Sequence, residues 1–242
     1  MWCCCAGGRS QFMVNIKSRI LVALDPELRA INGVIRRTMG EHAGHPNRQN
    51  DQDFFIDRIT RLPKALKMSY WENHFEWKTV MQYPELKGRI LDFGCGSGHS
   101  DILLARNGYT IHGIDSNTTG IAIAEYLRSR EIQAVRSRLS FSIENVTMPR
   151  KDRELFDSAW AAHVFEHIER PGPVLKGLRN WLKQGAHMLI SVPLGNAYDD
   201  PGHIHHFYDC EQLALYLRQH VRIVKLDVSQ EFQVIRALCL FT

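Results

Sequence analysis

Five consecutive residues, Gly94-Cys95-Gly96-Ser97-Gly98, stand between a short apolar run, Ile90-Leu91-Asp92-Phe93, and a helical pattern over 99–107. A glycine-rich turn in that position is suited to a cofactor. Glycines let the backbone turn sharply and approach a ligand, and the following helix presents free N–H groups at its N-terminus. A second strand follows over Thr110–Ile114 and ends at Asp115. An acid at the end of that strand can accept hydrogen bonds from both hydroxyls of a ribose. It can also do no more than cap the next helix through Ser116-Asn117.

Two groups of histidines offer rings that change charge near neutral pH. His163 follows Trp160-Ala161-Ala162 at the carboxyl end of the fourth strand, where sheets of this kind carry active-site groups. Gly202-His203-Ile204-His205-His206-Phe207-Tyr208 follows the fifth strand. His163 is the candidate base, and His203 or His206 the candidate acceptor contacts. Asp199 and Asp200 could join these histidines around an ion, but the spacing fits no familiar metal motif, and no metal is expected.

These residues need a scaffold, and the periodicity supplies one. Further strands are expected at Leu139–Ile143, Phe156–Ala162, His187–Pro193, Val221–Val228 and Phe232–Phe241, and helices at 117–130, Val174–Leu182 and Cys210–Gln219. Strands alternating with helices imply βαβ units and a mostly parallel, doubly wound α/β sheet. Upstream, residues 12–37 are helical in period, with Asp25-Pro26 a fresh N-terminus. Residues 38–52 read as a polar loop, and residues 53–82 are again helical, interrupted at Pro63. The chain thus divides into an N-terminal extension, 1–87, and a domain, 88–242.

Ile90-Leu91-Asp92-Phe93-Gly94-Cys95-Gly96-Ser97-Gly98 resembles the first signature of class I S-adenosylmethionine (SAM)-dependent methyltransferases. It departs from the dinucleotide pattern GxGxxG because Ser97-Gly98 closes the loop one residue early. Val164-Phe165-Glu166-His167-Ile168 resembles the family's xLEH segment, and Leu178–Gly185 its RxLKPGG turn. The histidine segment after the fifth strand is similar to GHxxxF in methyltransferases of sugar and ubiquinone pathways. The resemblance implies a Rossmann-like seven-stranded sheet with one antiparallel strand. It implies SAM as cofactor, with Asp92, Gly94, Cys95, Gly96, Gly98, Asp115, Ser116, Glu144, Asn145 and Ala161 around it. It further implies transfer of a methyl group to an oxygen of a small molecule or glycan, with His163 and His206 as catalytic residues. RNA or protein acceptors and a non-catalytic SAM-binding role are the competing readings. Tyr70, Trp71, Phe75 and Trp77 either form part of a lid over the cofactor or pack the extension on the sheet.

Bulk properties narrow the field further. At 44% hydrophobic and 23% charged residues the composition is that of a globular protein. No run of roughly 18 apolar residues is present, so no transmembrane helix is expected. Residues 1–10 lack the charged and apolar regions of a secretory signal. Residues 1–88 hold 13 Lys+Arg against 9 Asp+Glu, leaving 17 of each in the remainder, so the net charge of +4 sits in the extension. That excess is too small for a nucleic-acid footprint. Six cysteines without paired spacing fit free thiols in a reducing, cytoplasmic setting. Cys3, Cys4 and Cys5 lie in a tail, 1–11, expected to be disordered.

Overall fold

The structure is a computed structural model that describes residues 21–41, 63–73, 76–148, 155–198, 200 and 202–242. Cys3–Cys5, the polar segment beyond residue 41, Phe75 and Asp199 lie outside the described residues.

The extension contains α1 (Pro26–Glu41), a 3-10 turn (Pro63–Leu66), α2 (Met68–Glu72) and α3 (Glu76–Val80). Then come β1 (Arg89–Phe93), α4 (His99–Arg106), β2 (Thr110–Asp115), α5 (Thr118–Ser129), α6 (Gln133–Arg136), β3 (Leu139–Ile143) and β4 (Phe156–Ala162). A 3-10 turn (Phe165–His167), α7 (Pro171–Leu178), β5 (Leu182–Pro193), α8 (Cys210–Leu217), β6 (Arg222–Ser229) and β7 (Val234–Leu240) complete the chain. The strands form one seven-stranded sheet in the order β3-β2-β1-β4-β5-β7-β6. β1 to β5 pair in parallel, and β7 runs antiparallel to both of its neighbours.

Period-2 alternation sorts the side chains onto two faces, as a sheet covered on both sides requires. Ile90, Trp160, Leu189 and Leu238 join one core with α4, α5 and the extension. Leu91, Ala159, Ala161, Met188 and Ile190 join a second core with Leu175 and Leu178 of α7 and Leu213 and Leu217 of α8. The extension is therefore an added layer on the first face: Leu28, Ile31, Leu66, Trp77 and Val80 are buried in the same cluster as Ile102 and Ile123. Asp25 starts α1 as the sequence suggests, accepting from the N–H groups of Glu27 (3.0 Å) and Leu28 (3.3 Å) and pairing with Lys67 at 2.6 Å. α1 runs on to Glu41 where a loop was expected from residue 38. The Thr38 hydroxyl donates to the Val34 carbonyl (3.0 Å), so the helix tolerates this residue. β5 starts five residues earlier than expected, because Leu182 already pairs with Phe156 and the Gly185 N–H donates to the Phe241 carbonyl (2.7 Å).

One buried polar contact sits between sheet and helix. Asp101, in the first turn of α4, is fully buried, and no donor reaches either oxygen. The space it occupies exists because β2 carries a glycine there: a Cβ on Gly113 would lie 2.4 Å from Asp101 Oδ2. The carboxyl of Asp92, 5% exposed on β1, lies beside it, and two carboxyls buried this close together are accommodated only if one keeps a proton. Burial, reinforced by the charge of Asp92, raises the Asp101 pKa well above 3.8. Folding therefore stabilises the protonated form. This contribution is fully present below 3.8 and is lost as pH rises towards the higher folded value. Asp101→Asn supplies a permanent donor to Asp92. We expect the variant to resist urea better than the parent, with a larger margin at pH 8 than at pH 5; equal margins at the two pH values would refute the shared proton.

Candidate functional site

The order of the strands reverses direction between β1 and β4, since β2 and β3 extend to one side and β4 and β5 to the other. In open α/β sheets ligands bind in the crevice at the carboxyl ends of such a pair. Here the crevice is bordered by Gly94–Gly98 after β1 and by His163–His167 after β4. The two segments touch. A Cβ on Gly94 would stand 2.3 Å from Val164 Cγ2, and Gly94 has φ +85°, so glycine is required both by space and by backbone conformation.

The glycine loop is held from below. The N–H groups of Gly94 and Cys95 donate to the Ile114 carbonyl at 2.8 and 3.1 Å. Gly96, at φ +55°, donates its N–H to Asp115 Oδ2 (2.8 Å), and nothing stands within 4 Å of where its Cβ would be. Gly98 is packed instead, with Phe141 and Ala124 filling the space of a side chain. The Cys95 thiol lies beneath the loop, 2.8 Å from a Cβ placed on Gly113, and burial raises its pKa well above the usual thiol value. It is not an activated nucleophile.

Asp115 ends β2 with its carboxylate also accepting from the Asn117 N–H (2.8 Å). Burial raises its pKa, opposed by the backbone N–H groups of Asn117, Gly96 and Ser116. The alternative helix-capping role belongs to Asn117, whose side chain accepts from the Gly120 N–H. A carboxylate has about four lone-pair positions, so acceptor capacity remains for hydroxyl groups. Glu144 and Asn145 follow β3 and are exposed. The Glu144 N–H donates to the Asp115 carbonyl (3.1 Å), while the Asn145 side chain accepts from the N–H and hydroxyl of Thr147. Ser116 is exposed beside Asp115. Ala161 is fully buried in the second core, so its side chain belongs to packing.

On the other bank His163 has φ +54°, an uncommon conformation for a residue with a side chain and one that concentrates at functional positions. Its N–H donates to the Ser191 carbonyl (3.0 Å), its ring packs edge-on against Tyr198, and Nδ1 lies 3.4 Å from Glu166 Oε1. Glu166 belongs to the segment that resembles xLEH. It is fully buried, and its backbone carbonyl accepts from the N–H groups of Ile204 and His205 at 2.9 and 3.0 Å. Those bonds fold the loop after β5 back over the end of β4. His203 Nε2 thereby comes to 3.9 Å from Glu166 Oε1. His206 is exposed, its ring 6.0 Å from that of His203. The i,i+3 spacing of His163 and Glu166 was a usable signal; the return of His203 was not, because it depends on the path of the loop.

The extension reaches the same crevice from behind. His99 is buried, stacks on Trp71 at 5.4 Å, and bonds through Nε2 to the Leu66 carbonyl (3.0 Å). A carbonyl only accepts, so Nε2 carries the hydrogen and Nδ1 receives the hydroxyl hydrogen of Ser97 at 3.0 Å. Trp71 and Trp77 are thus packed against the sheet layer, and the Ser97 side chain is turned away from the crevice.

Comparison with known proteins places the fold and the family. The tRNA U34 carboxymethyltransferase of Pseudomonas paraeruginosa is 26% identical over 173 residues, covering 70% of this chain and 47% of that protein. The ubiquinone biosynthesis O-methyltransferase of Pseudomonas fluorescens is 23% identical over 144 residues, covering 53% of this chain and 60% of that protein. The chain thus spans about half the length of the curated relatives it matches. The crystal structure of the [4+2]-cyclase SpnF shares the fold, with a TM-score of 0.55 at 24% identity over 65% of this chain and 60% of that one. A family model described as a methyltransferase domain matches residues 50–227, most of the chain, and the protein belongs to that family.

Proposed function

We propose that the protein binds SAM between the two banks of the crevice and transfers its methyl group to an oxygen of a small molecule or glycan. The observation that carries this reading is the meeting, at one topological switch point, of the glycine loop with its Asp115 and of the His163–Glu166 pair. The residues suit the cofactor: Gly96 leaves open space beside its backbone, and Asp115 keeps acceptor capacity for ribose hydroxyls. In this reading Asp92, Gly94, Cys95, Gly96 and Gly98 shape the loop, Cys95 through its backbone. Asp115, Ser116, Glu144 and Asn145 border the nucleoside, and Ala161 supports the strand behind it. Bound SAM supplies an electrophilic methyl on a sulfonium, whose departure as a neutral thioether needs no acid.

What remains for the protein is to align the acceptor and remove its proton. His163 is placed to take that proton. Its ring is braced by Tyr198, and the Glu166 carboxylate beside Nδ1 favours the imidazolium that forms. His206, exposed on the overlying loop, positions the acceptor. The likeness to a tRNA carboxymethyltransferase favours a nucleoside acceptor as the second reading, against which stands the even balance of 17 acidic and 17 basic residues after residue 88.

Incubation of a metabolite extract with methyl-labelled SAM, followed by mass identification of the product, tests the reaction; a labelled tRNA nucleoside would establish the second reading instead. Asp115→Ala should weaken SAM binding by about 1.5–3 kcal/mol, as for hydrogen bonds to a charged group. Unchanged affinity by calorimetry in a folded variant would remove Asp115 from the cofactor site. His163→Ala should lower kcat by about 10²–10⁴ with SAM affinity unaltered. A variant whose kcat stays within a factor of a few would show that alignment alone drives the step.

A further inference from the structure

Glu166 is 1% exposed, yet neither of its carboxylate oxygens receives a hydrogen bond. The groups paired with it are histidine rings, His163 and His203, and no lysine or arginine among the described residues reaches it. Burying a carboxyl group without a hydrogen bond is costly, so the site calls for a partner at these oxygens. His203 is itself 4% exposed, and its Nδ1 has no partner. His167 completes the group: its Nδ1 bonds to the Gly202 carbonyl at 2.9 Å, so Nδ1 carries the hydrogen and Nε2 keeps a free lone pair. A ring nitrogen anchored to a backbone carbonyl while the other faces a ligand is the usual arrangement of a metal-binding histidine. One donor atom from each of Glu166, His167 and His203 lies within 4.8 Å of the others.

We infer that Glu166, His167 and His203 form a binding site for a divalent cation of the zinc type. Two imidazoles and one carboxylate are the donor set of such ions, and three protein ligands leave a position open for water or substrate. Donors around such an ion stand about 3.4 Å apart, given bonds of about 2.0–2.1 Å. Closing from the present spacing takes rotation of the His203 side chain, which is carried on the loop between β5 and α8. Asp200, which the sequence offered as a ligand, instead accepts from the Gly202 N–H (2.7 Å) and shapes the turn that holds His203. His163 stands beside the site, so an acceptor oxygen on the open position would lie next to the base; this catalytic role rests on the function proposed above, whereas ion binding does not.

The test uses the full chain with Cys3, Cys4 and Cys5 changed to serine, so that the tail offers no thiolates. After chelator treatment the protein is titrated with Co²⁺ and then with Zn²⁺. One equivalent of Co²⁺ should bind with a visible absorption of nitrogen and oxygen coordination, and Zn²⁺ should displace it. Glu166→Gln, His167→Gln and His203→Gln should each weaken Zn²⁺ binding by at least about 10-fold, since loss of a direct ligand exceeds the loss of its supporting hydrogen bond. Failure of the parent protein to bind one equivalent would overturn the inference, as would unaltered affinity in the three variants. SAM calorimetry on the metal-free protein is read separately, so loss of the methyltransferase reading and loss of the metal site give different results.

Discussion

A hydrogen atom at Gly94, where any other residue would carry carbon, lets the end of β4 close against the end of β1. A Cβ there would overlap Val164 at 2.3 Å, pushing apart the two segments that border the crevice. Strain would add to the clash, since φ is +85°. The consequences extend outwards from this contact. With Val164 in place, Phe165 packs edge-on against Phe93 at 6.1 Å and is fully buried. Burying Phe165 carries Glu166 inside as well, and from there its carbonyl collects the N–H groups of Ile204 and His205. Tyr216 of α8 secures the same turn from the far side, its hydroxyl bonded to the carbonyls of Phe165 and Ile168. The loop over the crevice is thus seated on a turn that exists because a glycine precedes it by seventy positions.

Elements with strong alternation were legible without coordinates. β3 and β4 have the expected ends, and the mostly parallel sheet follows from alternating strands and helices, while the reversed strand was implied by the family resemblance. Misreadings occur where tertiary pairing overrides local chemistry. Lys183-Gln184 look like a turn, and both are exposed, but Leu182 and Gly185 are already engaged by neighbouring strands. α6 was missed because its four residues, Gln133–Arg136, give no periodicity to detect. At the crevice, glycines and strand-end acids are readable because backbone geometry dictates their type. Burial of Glu166 and His203 is not readable, because both look like surface residues until the loop folds over them. Asp101 illustrates the same limit: its partner Asp92 was singled out from the sequence, while the proton between them depends on a glycine in the adjacent strand.

The fold alone does not name a reaction. Proteins described as a tRNA carboxymethyltransferase, a ubiquinone-pathway O-methyltransferase and a [4+2]-cyclase all resemble this chain, as expected where function resides in a site grafted on a common scaffold. The histidines of this chain that gather around Glu166 follow β4 and β5, on the side of the crevice opposite the glycine loop.

His99 gives the extension a thermodynamic connection to the crevice. Its ring bridges the two with one bond each, to the Leu66 carbonyl of the added layer and the Ser97 hydroxyl of the glycine loop. Whatever immobilises the loop from the ligand side reduces the entropy that the added layer must overcome to dock, and docking of the layer returns the same free energy to ligand binding. The docking of the added layer and the ordering of the glycine loop thus share one imidazole.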